Sequence, residues 1–224
     1  SKGIPKKNIK MIAGKPLCQW AIETAKESGF FDRIIVSTDS EEIADTVFGW
    51  NGTDVAVMMR PPELAQDDTP TEAVMKHVAE VEDFKVMCLI QATCPLTLPY
   101  DLKAARAKFY SWGADSLLTV TELNKFVWRP VDYEYLVMPV NYDPVHRPMR
   151  QQGIKPVYVE TGNFYFTKDW VLRDMNSRLG GNICRYIMDK DRAVDIDDMS
   201  DCKRAEELLR RRENEGSNSR LYPK

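Results

Sequence analysis

Ser1-Lys-Gly-Ile-Pro-Lys-Lys-Asn-Ile-Lys-Met-Ile-Ala-Gly-Lys-Pro-Leu17 opens the chain, and the rest is read outward from it. Glycine, proline and lysine crowd a loop that runs straight into a helix. Small residues let a backbone come close to a polyphosphate, and lysines neutralise it. The same residues also describe a solvated, lysine-rich tail, so the choice rests on segments further along the chain. Pro16 suits the first helical position. Leu17, Trp20, Ala21 and Ala25 recur at helical spacing, and Gly29 can close the helix.

The pattern then alternates. Arg33-Ile-Ile-Val-Ser37 reads as a buried strand. A helix follows with Ile43, Ala44, Val47 and Phe48 on one face, and residues 54–58 form the next strand. Thr69, Pro70 and Glu72 spell a capping box for a helix bearing Ala73, Val74, His77 and Val78. Residues 86–91 read as strand, 101–111 as helix and 115–121 as strand. This order predicts an α/β, Rossmann-like domain with a mostly parallel sheet and helices on both faces. Ligands in such sheets sit at the carboxyl ends of strands, where Ser37-Thr-Asp39, Arg60 and Gln91-Ala-Thr-Cys-Pro95 fall. Helical periodicity disappears over 122–158, which reads as extended β-hairpins. A strand (157–166), a helix (168–175), a strand (183–188) and a last helix (200–212) complete the pattern, with a polar tail behind.

The 224 residues suit a single domain spanning 1–224, with 122–158 as an insert. A net charge of −3 gives no reason to expect nucleic acid, so any anion site is local. No apolar run approaches the ~20 residues of a membrane span. Five cysteines, at 18, 88, 94, 184 and 202, show no C-x-x-C spacing and read as buried thiols in a reducing compartment.

Three further segments carry chemistry. Asp195-Ile-Asp197 sets two carboxylates at i and i+2 of a strand, and so on one face. Such a pair repels unless a cation joins it, and its oxygens suit Mg²⁺ or Mn²⁺. Equally, acids here favour the N-terminus of the following helix, a task open to Asp198 and Asp201. His146-Arg147-Pro-Met-Arg150-Gln151 offers two arginines to a carboxylate, or is a basic surface turn. Glu160-Thr-Gly-Asn-Phe-Tyr-Phe166 follows it.

Taken together and in order, these motifs resemble the cytidylyltransferases that activate sialic acids. In that family a strand and an arginine-bearing turn precede the loop, and the sequence from Ser1 onward contains neither. The resemblance implies transfer of CMP from CTP to the anomeric hydroxyl of a sialic acid, with release of pyrophosphate. It implies Asp195 and Asp197 as the metal pair, with Asp197 also catalytic. Lys2 would meet the β- and γ-phosphates, while Lys7 and Asn8 would lie nearer the α-phosphate. Arg60 and Thr71 would read the nucleotide. Gln91, Arg147, Arg150 and Gln151 would hold the sugar acid. The 122–158 insert would reach a second subunit, giving a homodimer, and the setting would be cytoplasmic, or nuclear in an animal cell. Cys94 stands where the family has serine, and Thr161 where it has asparagine near the substrate. The latter leaves open other acceptors, such as a legionaminic, pseudaminic or octulosonic acid. A non-catalytic nucleotide-binding paralogue is the alternative of a different class.

Overall fold

The computed structural model describes residues 4–131, 135–149 and 154–216. Six helices run over Leu17–Ser28 (α1), Glu41–Asn51 (α2), Thr71–Val81 (α3), Pro99–Ser111 (α4), Asp169–Met175 (α5) and Met199–Gly216 (α6). The strands are Met11–Ile12 (β1), Lys15–Pro16 (β2), Ile35–Thr38 (β3), Ala56–Met59 (β4), Val86–Ile90 (β5), Ser116–Leu123 (β6), Trp128–Pro130 (β7), Val137–Pro139 (β8), Val157–Lys168 (β9) and Ile183–Ile187 (β10). Among the described residues no helix is long and apolar enough to cross a membrane.

The helix ends follow from local chemistry. Gly29 takes φ 68°, a left-handed conformation that glycine adopts without strain, and closes α1. The Ser40 side chain accepts from Ile43 N at the start of α2. The capping box expected at Thr69 does not form. Thr69 Oγ1 instead donates to the Glu63 carbonyl at 3.4 Å, and Glu72 turns to Arg178 at 3.2 Å. An ion pair with a distant arginine outcompetes the local backbone contact.

The four-stranded sheet has the order β10-β6-β9-β5, with β3 and β4 paired parallel beside it. β10 runs parallel to β6, while β9 runs antiparallel to both β6 and β5. Three of its strands therefore point one way, and β9 enters reversed between two of them as the chain returns from the insert. Alternation along β5 assigns the faces. Cys88 and Ile90 join Phe109, Phe164 and Phe166 under α4, while Met87 and Leu89 meet Met75, Ala79 and Leu172 of α3 and α5. Phe164 is fully buried, and truncating such a ring to alanine costs about 3–5 kcal/mol.

β3 and β5 share no ladder. Between them lies a cavity of about 1300 Å³, walled by both strands and by apolar faces of α1 and α3. On the far side of the sheet, the pairing of β9 with β6 breaks. Leu118 faces Tyr165 and Val120 faces Glu160, so Thr161 to Phe164 all lie opposite Thr119. That bulge redirects Thr161 and Gly162 toward the carboxyl ends of the strands. Among its described residues the insert forms one short hairpin, β7–β8, with Trp128, Val137 and nearby Val140 exposed.

Candidate active site

The opening residues and the acidic segment are far apart in sequence and adjacent in space. Lys7 begins a single 3₁₀ turn, Lys7–Ile9. Its ammonium donates to the Ile196 carbonyl at 2.6 Å and lies 3.6 Å from Asp197 Oδ1. The same neighbourhood is sealed below by Ile4, Ile12, Leu17, Trp20, Val194, Ile196 and Leu209, so the N-terminal turn, α1, α6 and the acidic segment share one core. Lys15 is not solvated: it pairs with Glu23 and covers the Trp20 ring at 4.6 Å. Lys6 pairs with Glu42.

The strand expected at Asp195–Asp197 does not form: residues 193–197 pair with no neighbouring strand. Burial alternates along them. Val194 and Ile196 point inward at 5% and 0% exposure, while Asp195 and Asp197 are exposed together on the outer side. The neighbouring acids do the helix work. Asp201 Oδ2 accepts from Asp197 N and Asp198 N, and Asp198 Oδ1 accepts from Ser200 N and Asp201 N. These bonds satisfy the first N–H groups of α6 and leave the Asp195 and Asp197 carboxylates outside the cap. The Ser200 hydroxyl and these N–H groups hold Asp198 below the usual carboxylate range.

The loop after β5 borders the acidic segment. Ile196 N donates to the Thr93 carbonyl at 2.9 Å, and Gln91 N donates to the Asn163 carbonyl in the β9 bulge at 3.0 Å. Cys94 is 1% exposed, and burial together with the charge of Asp195 pushes its thiol up to about 12. It is a packing residue, not a nucleophile.

One cavity reaches this loop at Gln91 and Ala92, and a second borders the acidic segment at Ala193 and Asp195. Asn8, Arg60, Thr71 and Gln91 all line the larger one, between β3 and β5. The Arg60 guanidinium meets Asp39 Oδ1 at 2.7 Å. Ser37 Oγ and Arg60 Nε, also at this cavity, are buried with no hydrogen-bond partner among the described residues. Buried polar atoms are costly unless matched, so these two suit a polar ligand. The second cavity, about 490 Å³, is bordered by Thr121, Glu160, Thr161, Tyr165 and Asp195. Thr161 Oγ1 is likewise buried and unpartnered. The Tyr165 hydroxyl donates to the Glu160 carboxylate, and burial with that negative charge raises the phenol well above its ordinary value. Thr121 carries no motif-level signal in the sequence and joins the site only through the β6–β9 pairing, whereas Tyr165 belongs to the 160–166 motif.

Arg147 lines neither cavity. It sits on the insert with its guanidinium 4.2 Å above the Phe126 ring and 5.7 Å from that of Tyr142. Stacking uses the face of the guanidinium and leaves its N–H edge for a planar acceptor. His146 pairs with Asp143 at 2.9 Å. Lys2, Arg150 and Gln151 lie outside the described residues. Among the described residues no group of three or more His, Cys, Asp or Glu side chains could hold a metal by itself. The Asp195–Asp197 pair nevertheless has hard oxygen donors on one exposed side, which suits a Mg²⁺ that takes its other ligands from phosphate and water.

Comparison with known proteins identifies the family. N-acylneuraminate cytidylyltransferase A of Danio rerio is 36% identical over 200 residues, covering 88% of this chain and 45% of that protein. The chain thus spans about half the length of the curated relatives it matches first. Pseudaminic acid cytidylyltransferase of Campylobacter jejuni is 29% identical over 217 residues, covering 94% of this chain and 92% of that one. The solved structure of CMP:2-keto-3-deoxy-manno-octonic acid synthetase complexed with CTP superposes with a TM-score of 0.69 at 14% identity, covering 94% of each chain, and so shares the fold. Residues 1–166 match the family model described as cytidylyltransferase, and the chain belongs to that family.

Proposed function

We propose that the protein transfers CMP from CTP to the anomeric hydroxyl of a sialic acid and releases pyrophosphate. The observation that carries this reading is the meeting of Lys7 with the Ile196 carbonyl and Asp197, in a segment whose Asp195 borders the smaller cavity and whose Ile196 N–H bonds to the loop after β5. Polar groups lining the larger cavity, Asn8, Arg60 and Thr71, suit the nucleotide, whereas its apolar strand and helix walls do not. The smaller, with Thr161 and Asp195, suits the sugar acid. The loop after β5 and the acidic segment, joined by the Ile196 N–Thr93 bond, would bring the α-phosphorus and the acceptor hydroxyl together.

The hydroxyl oxygen attacks the α-phosphorus in line, a new P–O bond forms, and the bond to pyrophosphate breaks. Asp195 and Asp197 would hold Mg²⁺ or Mn²⁺, which would polarise a phosphoryl oxygen and acidify the attacking hydroxyl. Lys7, with Lys2 of the same opening stretch, offsets charge that develops as pyrophosphate leaves. Gln91, Arg147, Arg150 and Gln151 place the acid. The reaction needs no covalent enzyme intermediate, and the buried, protonated Cys94 offers none. Catalysis is then positioning and electrostatics.

Exposed Trp128, Tyr135, Leu136, Val137 and Val140 on the insert suit a homodimer interface, and that assembly would bring Arg147 of one protomer toward a site. Free cysteines, four of them buried, fit a reducing, cytoplasmic setting. Thr161 at the smaller cavity favours one second reading, the same transfer to another 2-keto sugar acid.

The test is pyrophosphate release from CTP and Mg²⁺ with N-acetylneuraminate, beside Asp197→Ala. Release that requires the sugar acid and disappears in the variant supports both the reaction and the metal role. CTP binding with no release for any keto sugar acid would overturn it in favour of a non-catalytic paralogue.

A further inference from the structure

Behind the acidic segment lies a polar cluster that the chemistry of CMP transfer leaves unused. Asp101, in the first turn of α4, is 0% exposed. A buried carboxylate must be paired to be tolerated. Leu98 N donates to its Oδ2 at 2.9 Å, the Tyr186 hydroxyl donates to its Oδ1 at 3.0 Å, and Arg192 forms an ion pair with it. The Arg192 carbonyl accepts from the Asn163 side-chain amide at 3.3 Å, and the same Nδ2 donates to Thr97 Oγ1 at 3.0 Å. The Thr97 hydroxyl donates in turn to the Cys94 carbonyl at 3.0 Å. One network therefore fastens the N-terminus of α4, the 91–98 loop, the β9 bulge and the turn that ends at Arg192.

Arg192 leads directly into the acidic segment. That segment has no ladder to hold it. Over residues 194–197 the backbone-to-backbone bond among the described residues is the one from Ile196 N to Thr93. Its middle is held by that bond, by Lys7 on the Ile196 carbonyl and by the inward Val194 and Ile196; its ends are held by the α6 cap and by Arg192.

We propose that Asp101 and Arg192 are positioning residues for Asp195 and Asp197. Their buried ion pair sets where the two carboxylates stand relative to the 91–98 loop, and so how well they receive a divalent cation with the nucleotide. This rests on the metal role proposed for that acidic pair.

The experiment measures Mn²⁺ binding to the CTP-loaded protein by electron paramagnetic resonance, with metal-free CTP affinity and thermal unfolding alongside. Arg192→Met weakens Mn²⁺ binding by about tenfold or more, as changes behind metal ligands do, while metal-free CTP affinity is unchanged. Arg192→Lys, which keeps the charge, recovers part of the loss. Arg192→Met alone leaves a buried carboxylate unpaired and is expected to be less stable. The double variant Asp101→Asn with Arg192→Met removes that charge, so its melting temperature recovers while Mn²⁺ binding stays weak. Mn²⁺ affinity that returns together with the melting temperature, or that is the same in all variants, overturns the positioning role. Asp197→Ala is the control. If it binds Mn²⁺ like the wild type, the metal role itself fails and the proposal with it. If it loses Mn²⁺ while the Arg192 variants do not, the positioning role alone fails.

Discussion

Replacing Lys7 by methionine keeps its apolar stem and deletes the ammonium. The side chain is only 13% exposed, and its hydrogen bond to the Ile196 carbonyl, at 2.6 Å, joins the N-terminal turn to the acidic segment. A hydrogen bond to a charged group contributes about 1.5–3 kcal/mol. The contact with Asp197 adds little, because that carboxylate is 81% exposed and the separation is 3.6 Å. At ~2–4 °C per kcal/mol for a domain of this size, Lys7→Met should melt about 3–12 °C below the wild type. The expected loss of turnover is larger. A positioned cation facing developing charge is worth about 10²–10³ in kcat, as for a single oxyanion-hole donor. Differential scanning calorimetry reads the first effect and coupled pyrophosphate detection at saturating CTP reads the second. Lys7→Arg should recover stability more fully than rate, since a guanidinium places its charge differently. A Lys7→Met protein that melts with the wild type and turns over at the same rate would refute the bridging role.

Gly181 has φ 62°, and a Cβ there would come within 2.6 Å of Asp115 Oδ2, so Gly181→Ala should destabilise by more than the ~1 kcal/mol of the backbone strain alone, measured by urea unfolding. The Lys168 ammonium, then the Asn182 N–H, hold Asp115 below the usual carboxylate range. A depressed folded pKa gives stability that is full above the unfolded value of about 3.9 and is lost as pH falls through the folded value, so Asp115→Asn should flatten the acid limb of a stability–pH curve. Val137→Asp with Val140→Asp places charge on the exposed face of the insert, and analytical ultracentrifugation should show dissociation toward monomer. Unchanged sedimentation would remove the insert from the interface.

Helix positions were legible wherever an apolar face recurs and a cap follows, as from Leu17 to Gly29 and from Ser40 to Gly52. The reach of Glu72 to Arg178 was not, since a local capping pattern carries no trace of a distant competitor. The reversed entry of β9 between β5 and β6 is equally non-local. So is its bulge: Thr161-Gly-Asn163 reads through as strand until β6 is laid beside it. At the site, spacing alone proposed one face for Asp195 and Asp197 and a capping task for Asp198 and Asp201, and the burial alternation and the α6 cap assign both. The contact of Lys7 with the Ile196 carbonyl left no pattern in the sequence, because one partner is backbone. Asp101 and Arg192 were invisible for a similar reason, since an ordinary helix acid and an ordinary turn arginine acquire meaning only when buried together.

The most direct measurement tracks the acceptor oxygen. N-acetylneuraminate labelled with oxygen-18 at the anomeric hydroxyl is incubated with CTP, Mg²⁺ and the protein, and the products are weighed by mass spectrometry. Direct attack on the α-phosphorus predicts a CMP-linked sugar acid that retains the label, bridging carbon and phosphorus, with unlabelled pyrophosphate. A CMP-linked product without the label, or none from any keto sugar acid despite bound CTP, would contradict it.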